Sequence, residues 1–405
     1  MTGTFYVAGA GISGLTLALA LAKFGATVIV LERSATISEF GAGLQVSPNA
    51  RKILDNLGLA EALTARGLEP AGIDIYPHRA ASPLVTMDLG AAMREAFGAP
   101  YAVMHRADLA DALYKACRRF ANIDILFGVR SWDVVSHARG ITISIDEANG
   151  QTRMGRGQAF IGADGVHSQT RMKLLDGPSA KYGNRVAWRA LVPFDSVAGQ
   201  IALDKVSVLF GHNYHLVCYP LPHRRQVNLA LFAAVKQISK DLGNRPRLPR
   251  AFPKGPRIEV LLTAAGESWT PWPLYTVSTP KWHAGNIGIL GDAAHAMVPF
   301  QAQGAAMGIE DAATLAPLLI REASAEAAFE KYEAMRQKRV ARVARTSATN
   351  GKIFHMRWPF SLARNLGIQL QGSRGHLRRL AWLYGYEVPV TPPADGTLHY
   401  PSALR

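Results

Sequence analysis

The chain has 405 residues, 48% of them hydrophobic, enough apolar surface to exclude intrinsic disorder and to build two domains. Only 19% are charged, yet Lys and Arg outnumber Asp and Glu by 45 to 30, and the net charge of +15 points to anionic partners. Two cysteines, Cys117 and Cys218, make neither a disulfide framework nor a metal site, so no metal is expected and the compartment reads as reducing and cytoplasmic. The first residues carry no basic n-region or cleavage pattern, and the longest apolar stretch, 7–31, is broken by Ser13, Thr16, Lys23 and glycines. No stable membrane insertion is expected.

In chain order, the spacing predicts a strand over 4–8, a glycine turn, a helix over 15–24, a stop at Gly25 and a strand over 27–31. That is a βαβ unit with short apolar strands, as a buried parallel sheet requires. Helical spacing returns at 49–57 and 107–121, with a small inserted sheet near 70–105. Strands at 123–127, 133–145 and 158–163 lead to Gly162-Ala-Asp-Gly165. From about 180 the texture changes to short β-type runs at 186–192, 206–210, 215–219 and 227–232, an antiparallel sheet inserted into the dinucleotide fold. Four prolines in 245–256 mark a surface loop before a helix or a return strand. A strand at 287–290, Gly291-Asp292, and helical patterns at 304–319 and 329–347 complete the chain.

The fold class is therefore α/β. A Rossmann-like domain occupies 1–180 and 276–330, a mainly antiparallel β-sheet substrate domain 181–275, and a helical region 331–405. That last region also holds the charge: from Lys331 to Leu380 there are twelve Lys/Arg against Glu333 alone. These cations are spaced along helices without aromatic platforms for single strands. They read as a solvated helix face; binding to nucleic acid or an anionic membrane is the alternative.

Gly9-Ala-Gly11-Ile-Ser-Gly14 follows a strand and opens a helix, and Glu32 ends the next strand. The first glycine allows the tight turn, the second lets backbone N–H groups approach a pyrophosphate, and the third packs helix on strand. The helix N-terminus favours the phosphates, and Glu32 can accept from a ribose hydroxyl. This alone leaves NAD and FAD open.

Two further segments, Gly162-Ala-Asp-Gly-Val-His-Ser-Gln-Thr-Arg171 and Gly288-Ile-Leu-Gly-Asp292 running on to Gly304, end strands with a Gly/Asp pair. With these three fingerprints in order, the chain resembles the single-component FAD-dependent aromatic hydroxylases, flavoprotein monooxygenases typified by p-hydroxybenzoate and salicylate hydroxylases. Arg106, Ala187-Trp-Arg189, Trp272-Pro-Leu-Tyr275 and Trp382-Leu-Tyr-Gly-Tyr386 extend the likeness over nearly the whole chain. The resemblance implies FAD as cofactor, NADH or NADPH as transient co-substrate, O₂, and hydroxylation of an aromatic acid through a C4a-hydroperoxyflavin by a monomer or homodimer. It implies cofactor contacts at Gly9, Gly11, Ser13, Gly14, Glu32, Arg33, Gln45, Arg106, Asp164, Asp292, Gly304 and Ala305. Substrate contacts follow at Gln45, Arg189, Pro299 and Phe300. Ala296 and Gln301 depart from the family pattern, and Gln45 stands where hydroxynicotinate enzymes carry a histidine. Epoxidation, ring cleavage or reduction of a larger apolar substrate by the same fold is the competing enzyme reading.

A phenolate is attacked faster than a phenol, so a base or hydrogen-bond acceptor near the substrate hydroxyl is expected. His215 and Tyr219, four apart on a strand, share one face and resemble the family's substrate-contacting pair. They are the catalytic candidates, with His212 and Tyr214 as the fallback face. Arg189 is a candidate carboxylate clamp, because guanidinium binds carboxylate bidentately. His295 reads as a structural hydrogen-bonding partner, and Cys218, on the face opposite His215, as core.

Overall fold

The computed structural model describes residues 3–37, 43–236, 248 and 255–388. Most of the proline-rich loop, Gly41 and Ala42, and residues 389–405 lie outside them. A six-stranded sheet has the order His283–Ala284, Ile287–Ile289, Ala159–Gly162, Thr4–Ala8, Thr27–Glu32, Ile123–Phe127. All its pairings are parallel except that of the short edge strand His283–Ala284.

Helix Ile12–Lys23 lies on one face, buried on nearly every side because helices Arg106–Cys117 and Gly304–Arg321 flank it. A helix enclosed in this way is apolar all round, which is why LTLALALA shows little polar face. The opposite face of the sheet is covered by Val129–His137, Gly140–Glu147 and Thr152–Gly157, whose Ile141, Ile143 and Ile145 pack on Tyr6 and Phe160. The single strand expected over 133–145 is thus a hairpin, turning just before Gly140 at φ 127°.

The second sheet has seven strands, in the order Thr270–Thr276, Lys181–Pro193, Gln226–Ala234, Tyr214–Leu221, Val206–Gly211, Gly72–Tyr76, Val85–Asp88. The last two correct the expectation of a small separate sheet near 70–105: Gly72–Tyr76 pairs in parallel with Val206–Gly211 and so extends the large sheet. After the proline-rich segment come both a helix, Pro256–Ala265, and the return strand Thr270–Thr276. The helix packs on the back of the sheet with Trp188, Tyr214 and Cys218. The front face looks toward the long helices Ala325–Phe354 and Phe360–Tyr384, the second of them interrupted at Gly372, φ 58°. Among the described residues no helix is long and apolar enough to cross a membrane.

Candidate active site

The glycine loop fits a dinucleotide cradle. Gly9 has φ 105°, and a Cβ there would sit 2.5 Å from Ala163 O; one on Gly14 would sit 2.0 Å from Gly9 O. Neither position tolerates a side chain, so the loop is held close against the strand. Gly11 caps helix Ile12–Lys23 with no side-chain hydrogen bond and no acid in the first turn, which leaves that helix end to an anion. Glu32 accepts from Ala10 N at 2.9 Å and Ser34 N at 2.8 Å, fixing its carboxylate beside the loop. Arg33 is exposed next to it. The Oγ of Ser13 is wedged where Cβ atoms on Gly291 and Gly308 would be, so its side chain packs the helix onto the third fingerprint.

Asp164 closes the second fingerprint on itself. It accepts from Ser168 Oγ at 2.5 Å, Thr170 N at 3.0 Å and Thr170 Oγ1 at 3.1 Å. Buried Arg171 then donates to Val166 O and Ala293 O, both at 2.7 Å, tying the second fingerprint to the third. Asp292 is exposed toward the cavity described below, and Gly304 and Ala305 line the same space at an N-terminus without a side-chain cap. The uncapped helix end behind the glycine loop, with Asp292, Gly304 and Ala305 on the cavity, is a donor set that fits a dinucleotide cofactor.

Behind that second helix end lies an ionic network whose centre, Arg336, Glu310 and Asp311, is fully buried. Arg336 pairs with Asp311 at 2.7 Å and Glu310 at 2.6 Å; Arg339 grips both Glu310 oxygens at 2.7 Å. Asp311 also accepts from Gly291 N at 3.0 Å and meets His295 Nε2 at 2.5 Å, so His295 is held structurally. Burial pushes the Asp311 carboxyl up, but His295 and Arg336 outweigh it and hold it down at about 2. Asn49 bridges Glu310 to Gln303, which precedes Gly304. The network thus locks the third fingerprint and helix Gly304–Arg321 to the C-terminal helices.

The front of the seven-stranded sheet forms one wall of a cavity of about 1050 Å³. Alternation along each strand sends every second side chain to this face, and register aligns them across strands. Ala187, Phe232, His215 and Phe210 make one row; Arg189, Ala230, Val217, Val208 and Ile75 the next; Tyr219 follows opposite Asn228. His215 is stacked on Phe232, centroids 4.7 Å apart, with Phe300 and Phe354 edge-on at 5.2 Å. Its Nδ1 lies 2.8 Å from His355 Nε2, and His355 Nδ1 lies 2.7 Å from Arg185 Nη1. Burial, with the neighbouring Arg185, lowers His355 to about 4, and burial, His355 and Arg185 lower His215 well below its usual range. Burial pushes the Tyr219 phenol well up, so it stays protonated.

Five arginines line the cavity against one acid, Asp292. Arg189 has no carboxylate within ion-pair distance among the described residues; its guanidinium lies 5.8 Å from the Trp272 ring. Burial lowers its pKa, as does Arg106, while Tyr219 opposes the shift. A guanidinium drawn out of water without a counter-charge favours an anionic ligand.

A family model described as "FAD binding domain" matches residues 2–347. The chain belongs to that family. It is 30% identical over 392 residues to 3-hydroxybenzoate 6-hydroxylase 1 of Aquipseudomonas alcaligenes, covering 96% of this chain and 98% of the relative. It is 32% identical to 3-amino-4-hydroxybenzoate 2-monooxygenase PtnB3 of Streptomyces platensis over 94% of this chain and 95% of the relative. The fold matches that of Klebsiella pneumoniae HpxO complexed with FAD and uric acid, with TM-score 0.79 and 22% identity, over 93% of this chain and 95% of that one.

Within this FAD-binding family member, the cavity brings together Gln45, Arg106, Arg189, His215, Tyr219, Asp292, Pro299, Phe300, Gly304 and Ala305. Gln45 accepts from Tyr101, and Tyr219 packs on Gly43 of the same strand as Gln45. The fallback pair points elsewhere: Tyr214 lies in the core behind the sheet and His212 pairs with His78. The reading of the C-terminal cations as a solvated face is corrected for several of them. Arg336 is a fully buried ion-pair partner, Arg339 pairs with Glu310 from a partly buried position, and Arg364 is buried 4.6 Å from the Phe210 ring centre, whereas Arg342 stays exposed, 3.8 Å from the Trp382 ring centre. Sequence reasoning missed Arg185 and His355. Arg185 shares the face of Arg189 by its four-residue spacing, a signal available from alternation; His355, on a distant helix end, left none.

Proposed function

We propose that this FAD-dependent enzyme consumes NADH or NADPH and O₂ to hydroxylate a small aromatic carboxylic acid, of the phenolic or hydroxypyridine type. Bound FAD supplies hydride acceptance and oxygen activation. The observation that carries the substrate class is Arg189, a guanidinium without a carboxylate partner among the described residues, one row from His215 and on the cavity that reaches Asp292 and Gly304. Arg189 binds the substrate carboxylate, Tyr219 donates from its protonated phenol, and His215 meets the ring oxygen. Phe232, Phe300 and Phe354 hold the ring and exclude water, which favours coupled turnover over loss of peroxide.

The test is a panel of hydroxybenzoates, hydroxypyridine carboxylates, their decarboxylated counterparts and larger phenols, scored for substrate-dependent NAD(P)H oxidation and hydroxylated product. Single-ring acids are expected to stimulate oxidation and the decarboxylated compounds to fail. Stimulation by none of the acids contradicts the proposal. One observation favours a larger substrate as a second reading: the cavity lining extends beyond the His215 row to Ile73, Met87, Phe210, Ile368 and Leu380, with Arg364 over the Phe210 ring. Turnover of the larger phenols alone would select it.

A further inference from the structure

We propose that Arg185 and His355 are positioning residues that fix His215 in its Nε2–H tautomer, making it a hydrogen-bond donor to the substrate oxygen and not its base. Donor counting decides the order. Arginine carries donors only, so Arg185 Nη1, 2.7 Å from His355 Nδ1, obliges that nitrogen to accept. A neutral imidazole has a single N–H, and on His355 it is left on Nε2. From there it donates across 2.8 Å to His215 Nδ1. His215 then carries its own proton on Nε2, the remaining nitrogen of a ring that lines the cavity. Reversing the order anywhere sets two N–H groups against each other. The permanent charge of Arg185 thus gives the chain one direction, from guanidinium to cavity.

The surroundings keep these partners in register. His355 follows directly on helix Ala325–Phe354, and Arg364 donates to the carbonyls of Ile353 and Phe354 at that helix end. Arg185 lies under the Phe300 ring, its guanidinium 5.3 Å from the centroid, while Phe232 stacks on His215 from the other side. The consequence for chemistry is specific. An Nε2–H donor stabilises a phenolate oxygen once it is formed but has no lone pair to take the phenol proton. The expectation of a base or acceptor at this position is therefore replaced by anion stabilisation.

The hydrogen-bond order stands without any reading of the reaction; only the role toward a phenolic oxygen rests on the proposed hydroxylation. The test uses FAD-loaded protein with ¹⁵N-labelled histidine. NMR of the ring nitrogens reads the His215 tautomer, assigned by loss of its signals in His215→Gln. Wild type is expected to show Nε2 protonated and Nδ1 bare. His355→Leu should lose that single tautomer, and His355→Gln, whose amide can both accept and donate, should restore it. In parallel, His355→Leu should lower kcat for the coupled reaction about 10- to 100-fold, the range for outer partners that orient a histidine, with KM for NAD(P)H unchanged. His355→Gln should recover most of it. A bare Nε2 in wild type, or a His355→Leu protein whose tautomer and kcat both match wild type, overturns the proposal. A correct tautomer in an enzyme that no aromatic acid stimulates overturns the functional reading alone.

Discussion

Arg336 and Arg189 are the same residue type in two opposite settings. Arg336 is fully buried and saturated by Glu310 and Asp311, and the charges cancel within the scaffold. Arg189 stands in a cavity wall with aromatic neighbours and no carboxylate among the described residues. Burial alone says little about role; on the proposed function, the absence of a resident counter-charge is what leaves Arg189 to the substrate carboxylate.

The sharpest way to break this comparison is to remove Arg336. Arg336→Met takes the shared cation from two buried carboxylates, leaving Glu310 to Arg339 and Asn49 and Asp311 to His295 and Gly291 N; about 3–5 kcal/mol of stability should be lost, read as a melting temperature lowered by about 4–6 °C. An unchanged melting temperature would mean that the network carries no net stability.

Acid should separate the two regions next. His355 has a folded pKa of about 4, below its usual 6.5. As pH falls through 6.5 the unfolded chain takes up a proton that the folded chain refuses, so the cavity wall loses stability down to about pH 4 and then stops. The size is about 3 kcal/mol. Asp311, held at about 2 by the network, works in a lower window: its contribution is present above its usual 3.8 and lost as pH falls through 2. Denaturant titrations at pH 7 and 5 should therefore show a shallower loss for His355→Gln than for wild type, and equal slopes would contradict this assignment.

Arg189→Met should do the reverse of Arg336→Met. Its melting temperature should stay within about 2 °C of wild type while KM for the aromatic acid rises about 10- to 100-fold, the worth of a charge-assisted hydrogen bond. A large fall in melting temperature would place Arg189 with Arg336. The smallest effect is expected from Asp292→Ala, where FAD retention should weaken about tenfold on gel filtration, with turnover restored by added FAD. Full flavination after dilution would remove Asp292 from the cofactor site.

The legible parts of this chain are those where a local rule decides. Gly9 turns the chain at φ 105° and Gly14 presses on Gly9 O a few residues back, and alternation on 214–221 puts His215 and Tyr219 on one face without any tertiary knowledge. What escaped depends on distance in sequence. Gly72–Tyr76 joins Val206–Gly211 by parallel pairing, which leaves no turn signal. Arg336 and Arg339 resemble an ordinary charged helix face until Glu310 and Asp311, on another helix, are brought beneath them. His215 and His355 meet across 140 residues. The charge excess likewise acquired its meaning only in three dimensions, as scaffold ion pairs and as a cation-lined cavity.

If this cavity directs oxygen onto an aromatic acid, the oxygen can be followed. Mass spectrometry of the product formed under isotopically heavy O₂, with FAD-loaded protein, NAD(P)H and the hydroxybenzoate or hydroxypyridine acid that most stimulates oxidation, tests this most directly. One heavy oxygen atom is expected on the aromatic product, and its loss, with peroxide in its place, when the decarboxylated analogue is supplied. NAD(P)H oxidation that yields no labelled aromatic product from any acid would contradict it.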